Sequence, residues 1–149
     1  MAISKICQRN VVWATRETSI VDAAKLMRQH HVGAIVVVDQ DDSPRMPVGI
    51  VTDRDIVVEV VAPGLDPKQL KVGDLLVEPV VTIEERKSAA DTVRLMSQKG
   101  VRRIPVVTDE GALAGIVSVD DLLRHFSTAL GTLAELTARN LEREAETRK

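Results

Sequence analysis

Aromatic side chains are almost missing. The 149 residues hold one tryptophan, Trp13, one phenylalanine, Phe126, and no tyrosine. That nearly excludes recognition of bases by stacking on aromatic platforms. The core must then be built from Val, Ile, Leu, Ala and Met. Cysteine is scarce too: Cys7 alone excludes an internal disulfide and fits a reducing compartment. No charge of one sign dominates, since 20 basic residues face 22 acidic ones and leave a net charge of −2. Such a balance advertises neither nucleic acid nor an acidic membrane as partner. No apolar run approaches the ~18 residues of a membrane span, and no charged start followed by an apolar stretch marks a signal peptide. A cytoplasmic protein is therefore expected. What is present is ordinary for a globular chain: 44% apolar residues argue against disorder. A chain of this length buries roughly 68–70% of its unfolded surface without staples.

The sequence is written twice. Shifted by 69 positions, Val11-Val12 falls on Val80-Val81, Ser19 on Ser88, Asp22 on Asp91, Leu26-Met27 on Leu95-Met96 and Ile35 on Ile104. The shift then drops to 66, because the first copy carries three extra residues in its Asp39–Pro47 loop. Beyond the loop, Gly49-Ile50-Val51 falls on Gly115-Ile116-Val117, Thr52 on Ser118 and Asp55 on Asp121. Shared apolar periodicity alone would not align Ser, Asp and Gly as well, so the chain is a duplication.

Each copy reads β-α-β-β-α. Val11-Val12 or Val80–Ile83 opens as a strand. A helix follows, with Ile20, Ala23, Ala24 and Met27, or Ala89, Val93 and Met96, on one stripe. Ser19 and Ser88 are its N-caps, each with an acid three residues on. Gly33 and Gly100 lie where a left-handed turn ends such a helix. The runs Ala34–Val38 and Ile104–Val107 are strands covered on both faces. Further strands span Val48–Val51 and Ala114–Val117, and a second helix starts at Thr52 or Ser118. Val72–Val77 matches Ile3–Gln8, so each copy has a short helical lead-in. The expected fold class is α+β: two repeats packed with pseudo-twofold symmetry, residues 1–62 and 72–126, joined by a linker at 63–71. A C-terminal amphipathic helix covers 127–149, with Leu130, Leu133, Ala134, Ala138, Leu141 and Ala145 on its apolar side. It either folds back on the body or pairs with a second copy.

The string that can carry chemistry is Gly49-Ile50-Val51-Thr52-Asp53-Arg54-Asp55, echoed by Gly115-Ile116-Val117-Ser118-Val119-Asp120-Asp121. Glycine lets a ligand approach the strand backbone. The hydroxyl and the free N–H groups of the helix start face an anion. A carboxylate one turn on accepts two hydrogen bonds from a ribose diol. The same pattern is also a plain capping box that needs no ligand.

The double string, the repeat and the run Val101-Arg102-Arg103-Ile104-Pro105-Val106-Val107 resemble a tandem pair of CBS (cystathionine β-synthase) domains, of the small stand-alone bacterial kind. That resemblance implies a non-catalytic regulatory module. It would bind adenosine-containing ligands (AMP, ADP, ATP or S-adenosylmethionine) in two clefts and relay them to a partner. It implies no required cofactor, no nucleic acid or membrane partner, an effector protein still to be named, and a homodimer through the domain helices, the C-terminal helix or both. Asp55 and Asp121 would hold ribose. Thr52, Arg54, Arg102, Arg103 and Ser118 would hold phosphate. Val12, Ile35, Ile50, Val81, Ile104, Pro105 and Ile116 would line the adenine pocket. On this carry-over the first cleft, around Thr52 and Asp55, receives Arg102 and Arg103. The second, around Ser118 and Asp121, has Asp120 in place of Arg54 and receives only Gly33 and Ala34. The first cleft is thus expected to take a phosphorylated nucleotide, and the second to be empty, weaker or suited to a ligand without phosphate. Trp13, where the second copy has Thr82, is core or fills adenine space. The alternative is a structural adaptor whose motifs serve only as caps.

Other chemistries find no support. His30-His31 are adjacent and do not converge on a metal. No Ser-His-Asp or Cys-His pairing has local context. The glycine spacing fits neither a P-loop nor a dinucleotide fingerprint.

Overall fold

A computed structural model describes residues 1–77 and 79–148. The fold is mixed α+β, with two three-stranded sheets of identical topology. In the first repeat, β1 (Trp13–Thr15) leads through α1 (Ile20–His30) to β2 (Ala34–Val38), which turns back into β3 (Pro47–Thr52). In the second, β4 (Ile83–Glu84), α3 (Ala89–Lys99), β5 (Arg103–Val107) and β6 (Leu113–Ser118) repeat the order. The central strand pairs parallel with the first and antiparallel with the third in each sheet. The last helices are α2 (Asp53–Ile56), which continues as π-helix over Val57–Val61, and α4 (Val119–Thr147).

Periodicity places these elements well. Ser19 and Ser88 cap α1 and α3 by accepting from the N–H groups of Asp22 and Asp91 at 3.1 and 3.0 Å. All five residues of β2 are buried, as its unbroken apolar run requires. Three local expectations need correction. The opening strands begin later, at Trp13 and Ile83 rather than Val11 and Val80. The reason in the first repeat is that residues just before β1 are busy elsewhere: Gln8 bridges to Ile116 of the other repeat. The left-handed residue after α1 is His31 (φ 53°), not Gly33, whereas Gly100 (φ 65°) does end α3. The C-terminal helix does not fold back: α4 runs on without a break from the second repeat, and its residues from Ser127 to Thr147 are all exposed.

Each sheet packs one face on its own helices. Ile35, Val37 and Val51 join Ala23 and Met27 in one core; Ile104, Val106 and Val117 join Met96 and Leu122 in the other. The lead-in turns are exchanged between them. Ile3, in the turn Ile3–Lys5, is fully buried in the second core, and its N–H bonds Lys87 C=O at 2.7 Å. Val72, in the turn Val72–Leu75, is fully buried in the first core, and its N–H bonds Thr18 C=O at 2.8 Å. Burying each side chain is worth roughly 1.5–3 kcal/mol. A unit of some 60 residues is marginal alone, and this reciprocal exchange makes each repeat part of the other's core.

Candidate functional site

Both motif loops form complete capping boxes. Thr52 Oγ1 accepts from Asp55 N–H at 3.1 Å, while Asp55 Oδ2 accepts from Thr52 N–H at 2.8 Å. Ser118 Oγ accepts from Asp121 N–H at 3.2 Å, while Asp121 Oδ2 accepts from Ser118 N–H at 2.8 Å. The two carboxylates then part company. Asp121 is only 7% exposed, and all its acceptor positions are used. Its Oδ2 also takes the Ser118 hydroxyl at 2.7 Å, and its Oδ1 takes Gln8 Nε2 at 3.0 Å and Arg124 Nη2 at 2.9 Å. Burial pushes the Asp121 carboxyl up, but the bonds from Ser118, Gln8 and Arg124 outweigh it, and its pKa falls below the ordinary value. Asp55 is half-buried, and its Oδ1 has no hydrogen-bond partner among the described residues.

The motif glycines have a role that the sequence reading did not assign. A Cβ on Gly115 would stand 2.8 Å from Cys7 Sγ and 2.9 Å from the Gln8 carbonyl oxygen; one on Gly49 would stand 2.5 Å from Leu76 Cδ2. The glycines make room for the exchanged lead-in segments of the chain itself. Gln8, which lies on such a segment, reaches Asp121 for the same reason and was missed because nothing local marks it.

Between the repeats lies a cavity of about 250 Å³. Its walls bring Ser118, Asp121, Arg103 and Ile116 of the second repeat together with Val12, Gly33 and Ala34 of the first. Gln8 and Arg124 complete the rim around the carboxylate. Arg103 lines this cavity, and the β5–β6 register sets it beside Ser118 of its own repeat. The corresponding neighbours in the first repeat are Ala34 and Thr52. The cavity around Asp121 holds Arg103 and Arg124 as well as Asp120, so it is not the cation-poor cleft expected from the sequence. Arg102 is exposed and caps Val119 N–H through its carbonyl at 2.9 Å. Arg54 is exposed on α2.

The adenine-pocket residues divide by strand alternation. Val12 and Ile116 line the cavity. Ile35 and Ile104 do not: both are fully buried in the helix-side cores, because Ala34 and Arg103 take the cleft side of the same strands. Val81 packs against the second core. Pro105 is buried and paired with Ile116, and Ile50 is half-buried and paired with Val36. Among the described residues, no three His, Cys, Asp or Glu side chains are grouped to hold a metal ion. No described helix is long and apolar enough to cross a membrane.

Two repeats of this topology, each carrying a Gly-apolar-x-Ser/Thr-x-x-Asp motif at the start of its last helix, define a paired-domain fold. The chain belongs to the CBS domain family: the family model matches residues 3–62 and 72–128. An uncharacterized protein of Methanopyrus kandleri is 35% identical over 135 residues, covering 91% of this chain and 67% of its own. Hypoxic response protein 1 of Mycobacterium tuberculosis is 33% identical over 120 residues, covering 80% and 81%. A crystal structure of the hypoxic response protein with two coordinated zinc ions superposes with a TM-score of 0.73 at 31% identity, over 84% of this chain and 98% of that one. The CBS domain pair of protein MJ0100, in complex with 5'-methylthioadenosine and S-adenosyl-L-methionine, gives a TM-score of 0.73 at 25% identity, over 85% and 99%.

Proposed function

We propose that this chain is a non-catalytic sensor that binds an adenosine-containing ligand in the cavity between its repeats. The observation that carries the reading is the convergence of Asp121, Ser118 and Arg103 on one cavity walled by both repeats. The Asp121 carboxylate holds the ribose diol, exchanging Gln8 and Arg124 for the two hydroxyls, so that its acceptor positions stay filled. Arg103, the released Arg124 and the N-terminal N–H groups of α4 hold the phosphate or another charged group. Val12 and Ile116 flank the base. The related domain pair holding 5'-methylthioadenosine and S-adenosyl-L-methionine supports this ligand class.

The same geometry gives the signal a route. Gln8 sits on the lead-in that crosses between repeats, and Arg124 sits on α4. α4 carries Leu123, Phe126, Leu130 and Leu133 exposed along one stripe, a face suited to a second copy of the chain. Ligand binding would bias α4 by no more than the ligand's differential affinity for the two arrangements. The adaptor reading keeps one observation in its favour, the complete capping boxes at both motifs.

Thermal melting with AMP, ADP, ATP, S-adenosylmethionine and 5'-methylthioadenosine separates the two. A ligand at 100 times its Kd stabilises by about 2.7 kcal/mol. Loss of that shift in Ser118→Ala is the expected result. Melting points unmoved by the whole panel would leave only the adaptor.

A further inference from the structure

Two departures from the internal repeat have no role in the adenosyl reading: Trp13, where the second copy has Thr82, and the three extra residues of the Asp39–Pro47 loop. The fold brings both to one place. Trp13 opens β1, the loop joins β2 to β3, and the Arg45 guanidinium lies 4.2 Å from the centre of the Trp13 ring. Together with Arg9, Ser43 and Leu113 they line a second cavity, of about 380 Å³. It adjoins the Asp121 cavity and shares Val11 with it as a wall: Gln8, Asn10 and Val12 line that cavity, Arg9 and Trp13 this one.

The two arginines here differ. Arg9 is satisfied: it bonds Glu85 Oε2 through both terminal nitrogens at 3.2 Å, and the carbonyls of Ala114 and Ser4 at 3.2 and 3.3 Å. Arg45 has no carboxylate partner among the described residues. Its side chain donates one long bond, to Ser43 Oγ at 3.4 Å, and its Nε is buried with no partner. Its carbonyl accepts Leu113 N–H at 2.7 Å, which fixes the loop against the second repeat. Arg9 and Glu85 cancel, so the Arg45 charge is left over in a cavity, with a buried donor unpaired. Such a donor is costly unless something accepts from it.

We propose that this cavity is a second ligand site, for a small molecule bearing a carboxylate or phosphate oxyanion. Arg45 is the charged group that binds it, and Trp13 is the platform that orients the guanidinium. The forked donors of a guanidinium match two oxygens of either group, which a point charge does not. The site is built on one side only, because the second repeat lacks both of its parts.

Trp13 is the only tryptophan, so intrinsic fluorescence reports on this cavity directly. The full chain is titrated with inorganic phosphate and, separately, with succinate at constant ionic strength. Neither probe contains adenosine, so the outcome is independent of the nucleotide panel. The expected result is a saturable change in emission with at least one anion, weakened about tenfold or more in Arg45→Gln. Saturation by phosphate alone assigns a phosphoryl group, and by succinate alone a carboxylate. A flat or linear response to both, or equal saturation in a folded Arg45→Gln, overturns the proposal. Should Arg45→Gln not fold, Arg45→Lys takes its place: it keeps the charge, loses the fork and must bind more weakly.

Discussion

Replacing Asp121 by Asn, and Asp55 by Asn in parallel, uses the duplication as its own control. The four bonds that Asp121 accepts come from Ser118 N–H, Ser118 Oγ, Gln8 Nε2 and Arg124 Nη2. An amide turns one accepting oxygen into a donor, so two of those four donors lose their acceptor. A hydrogen bond to a charged group is worth about 1.5–3 kcal/mol. The Arg124 side chain is 74% exposed and retreats into water at little cost, and the Ser118 hydroxyl can rotate. The expected loss for Asp121→Asn is therefore about 2–4 kcal/mol. Asp55 offers only Oδ2 to the Thr52 N–H, and its other oxygen has no partner among the described residues. An amide nitrogen fits there without breaking a bond. Asp55→Asn loses mainly a charge at the first turn of α2, about 0.3–1 kcal/mol. Urea unfolding followed by circular dichroism at pH 7, without ligand, measures both. At about 2–4 °C per kcal/mol for a chain of this size, the melting points should fall by roughly 4–16 °C and 1–4 °C. Equal losses from the two variants would refute the reasoning, because they would mean that Gln8 and Arg124 contribute nothing at Asp121.

The repeat, the element order and the capping boxes were legible because each rests on local chemistry. Ser118 and Asp121 are three residues apart, and their bond geometry follows from helix geometry alone. The site was less legible, since it depends on which strand lies beside which. Arg103 is expected from the sequence at the cleft of the other repeat, yet it lines the Asp121 cavity, because sequence gives its strand but not which walls the end of that strand reaches. Ile35 and Ile104 looked like ligand contacts on an unbroken apolar run. In such a run both faces are apolar, and only the packing of α1 and α3 shows which residues face away from the cleft. Gln8 was invisible for a third reason: its role depends on the exchanged lead-in, a contact made 113 residues away in sequence.

Three further outcomes are expected. Gly115→Ala places a Cβ against the Gln8 carbonyl oxygen as well as Cys7 Sγ. It should cost about 1–3 kcal/mol in urea unfolding, and Cys7→Ala should not restore the loss, since the backbone contact remains. Leu130→Glu with Leu133→Glu changes two residues of α4 that are exposed in the single chain, so the chain's own fold, read by far-UV circular dichroism, should be unchanged. Under the proposed pairing of α4 with a second copy, light scattering should give a dimer mass for the unaltered chain and a monomer mass for the variant; equal masses for the two would refute that pairing through Leu130 and Leu133. The last concerns acid. The Ser88 hydroxyl, with Arg94, holds the Asp91 carboxyl at about 2, and Asp121 also lies below its ordinary value. Both titrate near 3.9 in the unfolded chain. A carboxylate with a lowered folded pKa contributes its full stability above the unfolded value and loses it as pH falls through the folded one. The urea midpoint should thus fall between about pH 4 and pH 2 on account of these two groups. Asp121→Asn removes one of them and should make that fall shallower. A midpoint that rises on acidification, or an identical acid limb in the variant, would show that the bonds at Asp121 do not favour its charged form.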